Sequence, residues 1–192
     1  MPRATWFCVD IECSGPVPGL YDMVSLGAVR VAQLEGSLSI GDPFYREIRP
    51  QAPRVDPGAM AVNGLDIDTL RRYGVPLKQV LQQLSDWVQA QVLPGTEPVF
   101  VGHNAPFDWS FVAYSYHAVG QANPFGYKAL DTKALAMGVL GLHWLDSSKE
   151  VLAERLTLPP VQEDQVHRAD YDAWYQAHIL AQLLDVMERD AR

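Results

Sequence analysis

Apolar and polar positions along this chain follow two periods, and the places where the period changes mark the expected elements. Residues 4–11 form a short, nearly unbroken apolar run and predict a buried strand. Gly15-Pro16-Val17-Pro18-Gly19 cannot continue it and predicts a turn or loop. Met23 to Ala32 alternates in part, with Leu26, Ala28 and Val31, and predicts a second strand. Gly36 breaks the chain, and Phe44 to Ile48 predicts a third strand. Three such runs in succession predict an antiparallel meander. Pro50, Pro53 and Pro57 make 50–58 a loop. The period then lengthens. Short helices are expected at 58–63 and 66–72, and a stronger one at 77–92 behind Pro76, where Leu77, Val80, Leu81, Leu84, Val88 and Val92 recur at helical spacing. Pro94-Gly95 ends it. Residues 98–102 predict a strand, 107–119 a helix, 127–130 a short strand, and Asp131 opens a helix to about Val139. Ser147 or Ser148 caps a helix ending near Leu156, and after Pro159-Pro160 a last helix covers 169–189. Early strands followed by alternating helices and strands indicate an α/β layer fold, taken as one domain over 1–192.

Composition narrows this picture. A chain of 192 residues with 48% hydrophobic and 20% charged residues can bury a full core. No apolar run reaches the length of a membrane span. The first residues lack a basic region followed by an apolar segment, so a cytoplasmic location without membrane attachment is expected. Cys8 and Cys13 are too few for a disulfide framework, and no Cys or His spacing suggests zinc. The net charge of −8 argues against an extended phosphate-binding surface, although Arg46, Arg49, Arg54, Arg71, Arg72 and Lys78 leave the first half modestly basic.

Three places carry acids that core formation does not explain. Asp10 and Glu12 end the first apolar run, and alternation places them on one face of the strand. Close like charges force one acid to hold a proton unless a cation lies between them; the plain alternative is two solvated acids at a strand end. Asp108 follows a buried strand at the start of a helix, where free N–H groups and the dipole stabilise a carboxylate, so an ordinary N-terminal acid also explains it. His167 and Asp172 flank the start of the last helix. Asp170 is the natural N-cap there, which leaves Asp172 without a capping role.

Together, Asp10-x-Glu12, Asp108 within His103-Asn104-Ala105-Pro106-Phe107-Asp108, and His167-x4-Asp172 resemble the DEDD exonucleases, in the subclass with histidine in the third motif (DnaQ-like), which includes ribonuclease T and replicase proofreading subunits. The tyrosine subclass would need Tyr where this chain has Arg168. Val62-Asn63-Gly64-Leu65 and Asp131-Thr132-Lys133 also look like that family's connecting segments. The resemblance runs from about residue 5 to residue 185. It implies a ribonuclease H-like fold: a central mixed five-stranded sheet, its first three strands antiparallel, flanked by helices. It further implies two divalent ions, Mg²⁺ or Mn²⁺, held by Asp10, Glu12, Asp108 and Asp172, with Asp10 between them and His167 as general base. Two ions about 4 Å apart can stabilise both attacking and leaving oxygens of a phosphodiester.

By the same resemblance the terminal nucleotide would rest against Ile11, Cys13, Ser14 and Gly15, with His103 behind the ligands. Either Phe107 or Trp109 would face substrate, though packing in the core is the commoner use of such aromatics. Two departures stand out. Many members carry Thr where this chain has Cys13, which weakens a hydrogen-bond donor, and Leu where it has Asp170. The implied activity is 3′–5′ hydrolysis of single-stranded DNA or RNA ends to nucleoside 5′-monophosphates. The alternatives are an inactive nucleic-acid-binding accessory module of the same fold and a phosphohydrolase acting on small esters. The acidic character fits short or single-stranded substrates, or recruitment by a partner protein; some relatives are homodimers.

Overall fold

The computed structural model describes residues 3–34 and 36–190, without the side chain of Asp190. Its frame is one mixed sheet. Strands β1 (Ala4–Cys13) and β2 (Met23–Leu34) pair antiparallel, and β2 pairs antiparallel with β4 (Phe44–Arg49). On the other side of β1 lie β6 (Glu97–Gly102) and then β7 (Ala129–Asp131), both parallel. The predicted meander is therefore β1, β2 and β4. Two short strands lie beyond the expected five. β3 (Ser37–Ile40) folds back on the end of β2 through a turn at Gly36, and the two-residue β5 (Val75–Pro76) pairs with β4. Gly36 takes a φ of 84°, the left-handed conformation that a tight hairpin requires. The residue read as a break is thus the turn of a hairpin.

Helices cover both faces, and strand alternation decides which side chains meet them. Phe7, Val9, Ile11 and Cys13 point to the face under α3 (Leu77–Gln91) and α4 (Pro106–Ala118). There they join Val80, Leu81, Leu84, Val88, Phe111 and Val112. Cys8 points to the opposite face, under α7 (Ala169–Asp190), with Ala173, Ala177 and Leu180. Asp10 and Glu12 share the face of Cys8, so β1 presents both acids to the start of α7.

The remaining helices are short. α1 (Pro57–Asn63) and α2 (Ile67–Tyr73) begin at Asp56 and Asp66, whose carboxylates accept first-turn N–H bonds. α5 (Thr132–Leu140) is capped by Asp131 and α6 (Lys149–Arg155) by Ser148. Ala136 of α5, Leu152 of α6 and Leu156 just after α6 form a third apolar cluster against Tyr175, Ile179 and Leu183 of α7. The α7 start differs from expectation. Asp170 lies inside the helix and pairs with Arg168 at 2.9 Å instead of capping. Among the described residues, no helix is long and apolar enough to cross a membrane.

Candidate active site

The parallel strands β1, β6 and β7 all end on one edge, the edge where open α/β sheets place ligands. β1 delivers Asp10 and Glu12 there. After β6 the chain turns sharply at Gly102, where a Cβ would come within 2.8 Å of the Ala105 Cα. Asn104 completes the turn at a φ of 66°, its N–H donating to Asp131 Oδ1 at 2.9 Å. α4 then starts with Asp108 in its first turn, and Asp108 Oδ1 accepts the Ile11 N–H of β1 at 3.1 Å. The second motif is thereby tied to the backbone between the two acids of the first.

The third motif comes from the loop before α7. Opposite Asp10 in the β1–β2 register stands Gly27, and a Cβ on Gly27 would lie 2.1 Å from the Ala169 carbonyl oxygen. Only a residue without a side chain lets the start of α7 rest on the sheet beside Asp10. His167 has a φ of 65°, and its N–H donates to Asp172 Oδ2 at 2.9 Å. A non-glycine residue in this conformation is costly, and such strain concentrates at functional sites. Glu12, His167 and Asp172 offer ligand atoms that all lie within 4.8 Å of one another. Asp172 is buried, Glu12 half-buried and His167 exposed at the mouth.

The electrostatics follow from crowding acids on a buried edge. Burial, together with Asp108 and Asp172, pushes the Asp10 carboxyl well above the usual range against the opposing pull of Lys149. Burial first, then Asp10 and Asp172, push Glu12 up to about 8. Burial raises Asp108 to about 7 although the Ile11 N–H opposes the shift. Oxygen donors of this kind suit hard divalent cations. A cation would also remove the repulsion that raises these values. The residues present therefore fit a divalent metal.

Two residues that the motifs did not single out complete the cluster. Lys149, the first residue of α6, places its Nζ 2.5 Å from Asp172 Oδ1 and 3.9 Å from Asp10 Oδ1. Gln176 is fully buried one turn after Asp172 and donates its Nε2–H to Asp10 Oδ1 at 2.6 Å. Both left traces in the sequence. A lysine just behind a serine cap stands at the wrong end of the helix dipole, and Gln176 interrupts the apolar stripe Ala173, Ala177, Leu180.

The other expected positions take different surroundings. Ile11 and Cys13 bury their side chains in the core beneath α4, so only their backbone faces the site edge. The Cys13 carbonyl accepts from Asn63 Nδ2 at 3.3 Å, which gives the Val62–Leu65 segment its role in holding the end of β1. Ser14 is buried, and its Oγ accepts the Asp22 N–H at 3.0 Å. Gly15 lies under the Tyr21 ring, 2.2 Å from where a Cβ would stand. His103 Nδ1 is 2.9 Å from Thr132 Oγ1, and burial, aided by Lys149 and Lys133, holds its imidazole down at about 3. Trp109 packs on Phe100 in the core, whereas Phe107 is exposed at 38%.

Residues 7–180 match the model of the RNase_T family, described as exonuclease. The chain belongs to the RNase T exonuclease family. Within it, the chain is 37% identical to the 3′-5′ DNA exonuclease Cap18 of Escherichia coli over 172 residues, covering 89% of this chain and 87% of the relative. It is 30% identical to the Ribonuclease T of Marinobacter nauticus over 173 residues, 86% of this chain and 75% of that protein. The nuclease domain of 3′hExo, a DEDDh family member bound to rAMP, superposes with a TM-score of 0.73 at 14% identity, covering 97% of this chain and 92% of that one. At that identity the likeness concerns the fold. The chain is thus a 3′–5′ exonuclease, built on a mixed sheet flanked by helices.

Proposed function

We propose that this RNase T-family exonuclease removes nucleotides one at a time from the 3′ end of single-stranded DNA. The observation that carries this reading is the convergence of Asp10, Glu12, Asp108 and Asp172 on one sheet edge with His167 at its mouth. DNA is favoured over RNA because the relative with 37% identity is a DNA exonuclease. The 30% identity to a ribonuclease T keeps RNA as the comparison substrate.

Asp10, Glu12, Asp108 and Asp172 would hold two divalent ions, Mg²⁺ or Mn²⁺, through carboxylate oxygens. Such ions, when bound, would supply positive charge to the scissile phosphate and to the oxygens that attack and leave. His167 takes a proton from the attacking water at an imidazole nitrogen, which must be neutral to accept it. Water adds to phosphorus, the bond to the 3′ oxygen of the preceding nucleotide breaks, and a nucleoside 5′-monophosphate leaves. Asp172 sets the base by fixing the His167 backbone through the His167 N–H bond. Gln176 holds Asp10 in orientation by its amide. In this reading Phe107, whose ring is exposed on the first turn of α4, stacks on a terminal base. The backbone of residues 11–15 forms the floor beneath that nucleotide, and His103 braces the β6–α4 turn behind it.

The test is incubation with 5′-labelled single-stranded DNA and RNA of equal sequence, with Mg²⁺ or Mn²⁺. A ladder shortening from the 3′ end, faster on DNA, and release of 5′-monophosphates are expected. Faster shortening of RNA overturns the substrate assignment, and no cleavage of either overturns the activity.

A further inference from the structure

The cluster holds a cation of its own. Lys149 Nζ lies 2.5 Å from Asp172 and 3.9 Å from Asp10, so two of the four carboxylates converge on one ammonium. Local structure does not require it there. Lys149 starts α6, where the dipole disfavours positive charge. The Ser148 cap is complete without it, since Ser148 Oγ accepts the Val151 N–H. The lysine therefore stands where it does because of the acids.

Asp10 and Asp172 are also expected to hold divalent metal. A Mg²⁺ ion binds carboxylate oxygen at about 2.0–2.1 Å, and an ammonium already bonded to Asp172 Oδ1 occupies the same approach. The two cations exclude each other. The lysine also has a way out: its side chain is 25% exposed, and its four-carbon stem is flexible.

We propose that Lys149 is a tethered counter-cation that competes with one divalent ion for Asp10 and Asp172, so that metal uptake by this exonuclease is an exchange in which the ammonium leaves the carboxylates. This rests on the metal reading of the proposed function. In a chelating buffer the lysine keeps the acids compensated, and metal has to displace it to load the site.

Two measurements test the exchange. The first is calorimetric titration of Mn²⁺ into the wild type, Lys149→Met and Lys149→Arg at constant pH without nucleic acid. Lys149→Met should bind Mn²⁺ roughly tenfold more tightly, a coupling of ordinary size between competing sites. Lys149→Arg, which keeps the charge, should stay near the wild type. Unchanged or weaker Mn²⁺ binding in Lys149→Met overturns the exchange, whereas no Mn²⁺ binding in any of the proteins overturns the metal reading itself. The second uses the wild type alone and so does not depend on how the variants fold. Acetylation of the four lysines by an activated ester is followed by peptide mass spectrometry with and without saturating Mg²⁺. Lys149 should react several-fold faster with Mg²⁺, while Lys78 and Lys128 stay constant. Equal protection of Lys149 in both conditions overturns the proposal.

Discussion

Asp10 carries the site's main electrostatic conflict, because burial and two neighbouring acids oppose its charge while only Lys149 and Gln176 support it. Glu12 and Asp108, raised to about 8 and about 7, share that conflict. An acid whose folded value lies above its ordinary one holds its proton in the folded chain after the unfolded chain has lost it. Stability therefore falls as pH rises through the interval between the two values. His103, held at about 3, acts in the opposite sense below its ordinary 6.5 and has no effect above it. The decline is consequently cleanest between pH 6.5 and 8. Thermal melts in chelator should show a falling Tm across that interval, and saturating Mn²⁺ should remove the fall; a Tm that rises with pH in chelator would contradict the reading. Asp10→Asn keeps an acceptor for Gln176 and removes one charge. It should raise Tm at pH 8 in chelator while abolishing hydrolysis. His167→Ala should lower kcat by about 10²–10⁴, the usual contribution of a general base, while Mn²⁺ titration still shows binding; unchanged kcat removes His167 from its role. At this scale each motif residue also had a plain structural explanation, such as an N-terminal acid for Asp108, and only the three motifs taken together pointed to one site. Lys149 showed only an anomaly, a cation just behind a helix cap, and nothing in its local sequence tells which acids a lysine will reach across the fold.

The elements explain how residues 160 positions apart share one site. Strand alternation sends Asp10 and Glu12 toward α7, and that much was readable from period two. The 77–92 helix was equally legible from its apolar spacing and the other α-helices from caps, prolines and turn residues, with boundaries within one or two residues, whereas the single 3-10 turn Trp144–Asp146 was not expected. Short pairings were not: β3 and β5 are too brief to carry a period, and Gly36 reads as a break until its hairpin partner is known. Asp170 looked like a cap because caps are inferred from residue type, yet after the αL turn at His167 the helix already begins at Ala169, two residues before the first position an Asp170 cap would give. Gly27 is the least visible of the essential positions, since one glycine in a strand gives no hint of what approaches it. Gly27→Ala places a methyl group into the Ala169 carbonyl. It should cost about 1–3 kcal/mol, as overpacking usually does, and reduce kcat because α7 can relieve the clash only by moving Asp172 away from Asp10. Chemical denaturation and kinetics of the same variant check both effects; wild-type stability and kcat would mean that α7 does not bear on Gly27.

The whole molecule is acidic, with 23 Asp and Glu against 15 Lys and Arg, yet it acts on a polyanion. Many of its cations are already engaged. Arg168 pairs with Asp170, Arg71 with Asp68, Arg189 with Asp185, and Lys149 with Asp172. Arg46 donates to Gln83 and lies over the Phe44 ring, and Arg49 donates to the Gly74 carbonyl. The basic stretch expected in the first half is thus partly spent on structure rather than laid out as a track. Such a molecule should hold a strand by its end, with few contacts to phosphates farther along. Each neutralised phosphate on a single strand contributes about −0.7 to the slope of log affinity against log salt. At fixed Mg²⁺, the slope of log kcat/KM against log KCl on a long single strand should therefore be no steeper than about −2, the value for roughly three phosphates. A strand of five nucleotides should be cut with nearly the same kcat/KM as one of thirty. A slope of about −4 or steeper, or a large advantage for the longer strand, would place an extended basic path on the surface or require a partner that provides one.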